Sequence, residues 1–424
     1  MSSRRWLCGA ALALGCYTDP RAPQPFSFGD ASVLGDATAP AVLSLGALDG
    51  VWAVDRGRET FGDDFVLRTS PRYQTMFTER EGAAYVVTRA GCVDGARVVL
   101  EGEWNTRTTL TVGLVRLELG PPEVARLVCQ GMRPTGTFTL TGNYGAGRDP
   151  PMRPLQLTWQ RSPRATEGRF LVGAHHGRCQ AGDGCGVSEN TIPSVLGSEA
   201  FGAELVEIDV RLTREGVALV YHDPTFNPRL TRGIYCHGDV EDYTLTQVRT
   251  FCHALYGEEI PTLDELLTAV VERSNLRALW LDIKVAPAVA PAAQAVRRAQ
   301  ALAMTRGRTV LFFLGLPDDD TIDAFTALPM DQRVPCLIEV NPRDTRPTGC
   351  TLWGPRWTRG PLPGGGTTAQ MNNIQVMPWT IDDPQVLDVF LRGATPNGVL
   401  SDYPGLVWRR YEAVGRVPGG PAWP

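Results

Sequence analysis

Between Leu43 and Arg161 the apolar positions fall in short, partly alternating runs: Phe65-Val66-Leu67, Ala84-Tyr85-Val86-Val87, Val98-Val99-Leu100, Thr109-Leu110-Thr111-Val112, Thr137-Phe138-Thr139-Leu140 and Leu155-Gln156-Leu157-Thr158-Trp159. Turn residues separate them, which predicts an antiparallel sandwich or small barrel. After Gly168 the texture changes. Apolar runs alternate with helical patterns, the signature of βα units around a parallel sheet. The predicted strands are residues 170–174, 205–210, 218–221, 278–283, 309–313, 336–340, 374–379 and 398–400, with helices over Leu263–Arg273, Val289–Met304 and Pro384–Arg392. Eight strands over this length predict an α/β fold, a (β/α)8 TIM-like barrel preceded by a smaller all-β domain. The expected organisation is a leader over 1–16, a flexible tether over 17–41, the β-rich domain over 42–163, the barrel over 164–415 and a short tail over 416–424. No tandem repeat of fixed period interrupts this division.

The first residues alter the picture. Arg4 and Arg5 precede an apolar run from Trp6 to Leu14, too short to span a bilayer, and Ala13-Leu14-Gly15-Cys16 follows. This resembles a bacterial lipobox in which Cys16 is acylated, although Ala13 stands where Leu is usual; a plain secretory signal cleaved nearby is the alternative. Residues 17–41 are rich in Pro, Asp, Ser, Gly and Ala without apolar period, as in a tether behind an anchor. The expectation is an exported protein, lipid-anchored to a bacterial envelope membrane. Without Cys8 and Cys16, eight cysteines remain, at 92, 129, 179, 185, 236, 252, 336 and 350. An exported compartment permits disulfides, and sequence neighbours form four short-range couples. A zinc site is the competing reading, disfavoured because no Cys-x2-Cys pair or helical His pair accompanies them. Lys and Arg number 41 against 46 Asp and Glu, a net charge of -5. That balance argues against a basic nucleic-acid surface.

All five histidines lie between 175 and 253. The β-rich region has none, and its scattered acidic residues read as solvated charge, which suggests an accessory module or spacer. His175 follows the first predicted strand, Glu207 and Asp209 sit near the end of the second, His222 and Asp223 follow the third, and Asp282 and Lys284 end the fourth. Barrels of this kind gather their sites at the C-terminal ends of the strands, and residues two apart face one side. Three carboxylates at one barrel mouth repel unless a cation sits among them, and oxygen ligands suit Mg2+ or Ca2+. For any one residue alone, a structural ion pair or a packed ring explains it as well. The joint pattern reads as metal-assisted transfer at phosphorus or carbon with a His acid/base pair.

The same residues carry a resemblance over about 170–405. Ala174-His175-His176-Gly177 resembles the His-Arg-Gly signature of glycerophosphodiester phosphodiesterases, and Ser188-Glu189-Asn190-Thr191 their Pro-Glu-Asn-Thr. Glu207-Ile208-Asp209 resembles the family's Glu-x-Asp strand, followed by Thr213-Arg214-Glu215-Gly216, His222-Asp223, Ile260-Pro261-Thr262-Leu263-Asp264-Glu265-Leu266 and Asp282-Ile283-Lys284. Trp379-Thr380-Ile381-Asp382 and Asn397-Gly398-Val399-Leu400-Ser401-Asp402-Tyr403-Pro404 complete the series in family order.

The resemblance implies that His175 and His222 are the acid/base pair, that Glu207, Asp209 and Asp282 hold the cation, and that Lys284 lies near the phosphate. Glu189 would support the cation or its surroundings, and with His176 and Trp379 belongs to the substrate-lining set; a buried core Trp is an equal reading of Trp379. The implied reaction is attack by the glycerol hydroxyl next to the phosphoester, giving a cyclic phosphate that water opens to glycerol phosphate. Two positions depart from the family pattern: His176 stands for Arg, and Asp282 for Glu. A Cys236 to Cys252 bridge would brace the loop after His222 over the mouth. The nearest rival is a phospholipase D of the sphingomyelinase type, with a similar fold and His pair, an Asp at the position of Asp282 and a disulfide-braced loop. A non-catalytic surface binding lipoprotein is the other alternative. The expected partners are a small-molecule phosphodiester and, through the anchor, a membrane.

Overall fold

The computed structural model describes residues 28–78, 84–106, 112–147, 149–177, 186–341, 345–360, 369–370 and 373–423. Cys16 and the leader lie outside them, as do Cys179 and Cys185. No helix among the described residues is long and apolar enough to cross a membrane.

The first half forms a closed antiparallel barrel of eight strands in sequential order. They are β1 (Gly50–Arg56), β2 (Asp64–Thr69), β3 (Gln74–Thr78), β4 (Ala84–Val93), β5 (Arg97–Thr106), β6 (Val112–Gly120), β7 (Thr139–Tyr144) and β8 (Arg153–Arg161). Pairing of β1 with β8 closes the ring, so no edge is left unpaired. Of the two architectures the alternation allows, the chain takes the barrel. β1 and β3 escape the sequence reading, and residues 109–111 lie outside the described set. Trp52, Phe61, Phe65, Trp104 and Tyr144 fill the interior. Phe61, Trp104 and Tyr144 meet edge to face with centroids 4.9 to 6.0 Å apart, so this barrel is a packed core.

Residues 28–41, expected to belong to the tether, lie against this barrel. Ser32 donates to Glu101 Oε2 at 2.5 Å, Thr38 bridges to Cys92, and Ala31 O accepts from Arg116. Polar, aperiodic sequence excludes an amphipathic element but does not exclude a strap held by hydrogen bonds.

The second half holds eight parallel strands: β9 (Leu171–Ala174), β10 (Leu205–Leu212), β16 (Ala278–Ile283), β17 (Leu311–Leu316), β18 (Cys336–Ile338), β19 (Leu352–Trp353), β20 (Gln375–Val376) and β21 (Gly398–Ser401). From β9 to β20 each pairs with the next of these strands, and β21 pairs with β9, which leaves β20 and β21 as the two ends of the sheet. Hydrogen bonds from Asn397 N to Val376 O (2.7 Å) and Leu400 N to Pro378 O (3.0 Å) draw the ends together, so the ring is nearly closed. The expected strand at 218–221 is not one of the eight. It is β11 (Ala218–Val220), antiparallel to β10, while the barrel strand Leu352–Trp353 was missed. Asp282 and Lys284 therefore end the third barrel strand, and His222 follows a hairpin strand. Between β11 and β16 run four two-residue strands, β12 (Thr225–Phe226) paired with β14 (Gly238–Asp239), and β13 (Thr231–Arg232) with β15 (His253–Ala254).

Helices start where local chemistry demands. Thr262 and Glu265 form a capping box on Leu263–Arg273, Thr244 and Gln247 on Leu245–Phe251, and Asp318 and Thr321 on Asp319–Thr326. Among the described residues three disulfides join near neighbours, Cys92 to Cys129, Cys236 to Cys252 and Cys336 to Cys350. The last residues, expected to be a tail, carry a plug: Trp423 is buried among Leu171, Leu205, Ala278 and Phe313 near the strand starts, its Nε1 donating to Asn397 O at 2.8 Å.

Candidate active site

The site is assembled at the strand ends by short turns of defined geometry. β9 ends in Ala174, and His175 follows with its amide donating to Ser401 O on β21. His176 then takes a left-handed conformation, φ 52°, rare outside Gly and Asn, and Gly177 continues at φ 98°. A Cβ at Gly177 would lie 2.3 Å from Ser194 Oγ, so only Gly allows the chain to pass the following helix. At Ser188-Glu189-Asn190-Thr191, Thr191 caps the helix Ile192–Gly197, and Asn190 is left-handed at φ 58°. The Asn190 side chain holds Asp209 twice, donating Nδ2 to Asp209 Oδ2 (2.6 Å) and accepting from Asp209 N (3.0 Å).

On β10, Glu207 and Asp209 face one side, and Asp209 registers with Asp282 on β16. All three carboxylates can present oxygens within 4.8 Å of one another. Lys284 Nζ lies 2.8 Å from Asp209 Oδ1 and 2.5 Å from Asp282 Oδ2. A fourth carboxylate, buried Glu339, follows β18. Burial first, then the neighbouring carboxylates, push Glu207 and Glu339 well above the usual range and raise Asp282. Asp209 opposes its burial through the cations around it and stays below that range.

Two histidines flank this cluster, each anchored through Nδ1 to a carboxylate. His175 meets Asp402 Oδ1 at 2.9 Å, and His222 meets Asp223 Oδ1 at 2.7 Å. Burial alone would lower His175. The Asp402 hydrogen bond and the charge of Glu207 outweigh it and raise the ring to about 9. Asp223 in turn accepts from Arg229 and Asn227. Behind Asp402, Asp382 accepts the Asp402 amide and the Ser401 hydroxyl, both at 2.8 Å, and burial beside Asp402 lifts it to about 7. His176 is buried, its ring 3.6 Å from that of His175 and 5.0 Å from that of His222 by centroid. Its burial, and then the His175 charge, hold it well below the ordinary imidazole range.

Residues 173–310 match the model of the glycerophosphoryl diester phosphodiesterase family. The likeness to this family is confined to that segment. The glycerophosphodiester phosphodiesterase of Caldanaerobacter subterraneus subsp. tengcongensis is 36% identical over 114 residues, 26% of this chain and 43% of that protein. The probable glycerophosphodiester phosphodiesterase 2 of Mycobacterium tuberculosis is 34% identical over 113 residues, 26% of this chain and 39% of that protein. The chain thus spans less than half the length of each of these relatives. A glycerophosphodiester phosphodiesterase structure from Parabacteroides distasonis superposes with TM-score 0.46 and 19% identity, covering 57% of this chain and 96% of that one.

In the parallel barrel His175, His176, Glu189, Glu207, Asp209, His222, Asp282 and Lys284 come together, linked by contacts of 4.0 Å or less or by the ring contacts above. Glu189 lies 3.6 Å from His176 Nδ1 and 3.8 Å from Arg229. Trp379 is half-buried against the barrel interior and donates Nε1 to Gly354 O, so its ring is part packing and part surface. The sequence reading missed Asp402, Glu339 and Asp382 as members of the site. Asp402 and Glu339 stand just after β21 and β18, and the strand-end rule that found Asp282 could have found both.

A divalent cation suits this donor set. Four carboxylates face one Lys, and Asp282 Oδ1 is buried without a hydrogen bond. A hard cation would satisfy that oxygen and discharge the cluster.

Proposed function

We propose that this protein hydrolyses glycerophosphodiesters to glycerol phosphate and an alcohol with a divalent cation, its barrel mouth being the active site. The observation that carries this reading is the pair of histidines, each fixed at Nδ1 by a carboxylate, beside a carboxylate cluster with one lysine. Nδ1 anchoring sets the ring orientation and leaves Nε2 for proton transfer. One histidine would accept the proton of the glycerol hydroxyl next to the phosphoester, and the other would protonate the departing alcohol. With roles reversed, the pair would deliver water to the cyclic phosphate. An internal nucleophile avoids the entropic cost of bringing two reactants together. Glu207, Asp209 and Asp282 would hold the cation, which supplies charge neutralisation at the phosphoryl oxygens. Lys284 adds a fixed positive charge, and Glu189 and Trp379 would line the substrate side.

The test is release of glycerol phosphate from glycerophosphocholine by protein carrying residues 28–424, before and after chelation. Activity lost to chelator and restored by added cation is expected; full turnover in excess chelator would sink the cation reading. The braced loop and Asp282 keep a sphingomyelinase-type phospholipase D as the second reading. Turnover of sphingomyelin in place of glycerophosphocholine would select it. We propose further that the protein is exported and anchored through Cys16; mass spectrometry finding an unmodified N-terminus elsewhere would reject the anchor.

A further inference from the structure

His176 occupies a position where the family motif has Arg, and it sits inside the carboxylate cluster. Its amide donates to Glu207 Oε2 at 2.9 Å. Its Nε2 lies 3.3 Å from Asp209 Oδ2 and 4.0 Å from Glu207 Oε2, while its Nδ1 makes no hydrogen bond and lies 3.6 Å from Glu189 Oε1. His176 is 6% exposed. A guanidinium has no lone pair to give and can only repel a cation, whereas imidazole has one ring nitrogen that accepts. With metal–ligand bonds of about 2.1 Å, two ligands of one ion stand roughly 3 to 4 Å apart, which is the spacing of Nε2 from these oxygens. Asp209 belongs to two of the three possible ligand groupings among the described residues, His176 with Asp209 and His222, and Glu207 with Asp209 and Asp282, and the third joins His176 to Glu207 and His175. The left-handed backbone at His176 and the two hydrogen bonds of Asn190 fix both partners in place.

We infer that Nε2 of His176 is a ligand of the cation held by Glu207, Asp209 and Asp282. The site therefore takes a late first-row cation such as Co2+ or Zn2+ in preference to Mg2+ or Ca2+. Oxygen ligands alone favour the hard ions; adding imidazole moves preference along the divalent series toward Co2+ and Zn2+. This rests on the cation reading given above.

The experiment titrates chelator-stripped protein with Co2+, Mg2+ and Ca2+ by calorimetry and follows the visible absorption of bound Co2+. Wild type should bind Co2+ more tightly than Mg2+ or Ca2+. His176→Gln should lose about 10-fold to 100-fold in Co2+ affinity with a changed Co2+ spectrum, and Mg2+ affinity should hardly move. Unchanged Co2+ affinity and spectrum in His176→Gln would overturn the inference. Should that variant fail to fold, pulsed EPR of Cu2+ on wild type decides, since absence of nitrogen coupling overturns it without any substitution. Asp282→Asn separates the two levels. If it and wild type bind every cation alike, the carboxylate site itself is wrong; if it loses Mg2+ and Co2+ together while His176→Gln changes neither, the site stands and only the His176 ligand falls.

Discussion

Asp282 answers two demands with two oxygens. Oδ2 receives Lys284 at 2.5 Å, and Oδ1 is buried without a hydrogen bond. Asp282→Asn removes one negative charge from a cluster in which Glu207, Glu339 and Asp282 itself are already pushed toward protonation, and Lys284 keeps Asp209 at 2.8 Å. The cation-free protein should therefore melt higher, by roughly 1 kcal/mol in stability, while calorimetry shows weaker cation binding. A variant that melts lower and binds as tightly as wild type would move the third ligand elsewhere, with buried Glu339 the first candidate. His175→Ala and His222→Ala should each cut turnover by ~10² or more. Asp402→Asn should act through His175: with the anion gone, the imidazole titration, followed by NMR in cation-free protein, moves from about 9 toward the ordinary 6.5. A midpoint that stays put would show that Glu207, not Asp402, sets the ring. At this scale His175, Glu207, Asp209, Asp282 and Lys284 were legible because strand-end position and residue type coincide, whereas His222 was reached through a strand that the fold makes a hairpin partner of β10. Glu339 and Asp402 obey the same rule, but a single acidic residue after a strand carries no pattern of its own, and Asp382 joins through the Asp402 amide and the Ser401 hydroxyl.

The segment from β11 to the helix Leu263–Arg273 shows what a loop needs in order to hold a site residue. His222 depends on Asp223, which depends on Arg229 and Asn227, and these ride on the β12–β14 and β13–β15 pairs. Such two-residue pairs have little intrinsic stability. Behind them Tyr221, Phe226, Val240 and Val248 form a small core that Cys236 and Cys252 enter from both sides. The bridge closes a loop with sequence separation 16, and a loop of that size contributes about 3 kcal/mol. Replacing both cysteines by Ala should make residues 223–260 the first point of limited proteolysis and lower turnover without altering cation affinity. Equal protease resistance would mean that the small core alone holds the loop. This element also explains the misread strand. Ala218-Leu219-Val220 is buried throughout, and an antiparallel strand covered on both faces carries the same unbroken apolar run as a central parallel one. Leu352–Trp353, with only two residues, is too short to show any period.

The two barrels look separable in sequence, but their cores merge. Phe77 and Tyr85 of the antiparallel barrel pack in one cluster with Phe170, Trp408 and Tyr411 of the parallel one. A Cβ at Gly405 would come within 2.1 Å of the Phe77 ring, so the helix Pro404–Val414 can lie this close only with Gly there. Arg68 stacks over Trp408 at 3.8 Å. Fully buried Glu412 collects Arg161 at 2.9 Å, Arg68 at 3.4 Å and the Arg164 amide. Near these charges burial raises Asp49 from 3.8 to about 7. The folded state then binds more protons at Asp49 than the unfolded chain between those values, so this group's contribution falls as pH rises from about 4 past 7. Asp49→Asn should flatten that slope and leave the protein more stable at pH 8 by more than about 1 kcal/mol; an unchanged slope of melting temperature against pH would assign it to other groups. The merged core also sets the outcome of cutting the chain. A fragment of residues 164–424 keeps every proposed cation ligand but exposes the faces that Phe77 and Tyr85 cover, about 1.5–3 kcal/mol for each large side chain. It also deprives buried Glu412 of Arg68 and Arg161, a loss of about 3 kcal/mol for a broken buried pair. These losses are comparable to the whole stability of a typical domain. Intact protein should therefore unfold in a single calorimetric transition, and the fragment should be unfolded or aggregated even with cation present. Two resolved transitions, or a fragment that binds cation and melts where intact protein does, would show that the shared cluster contributes little and that the antiparallel barrel is an appended module.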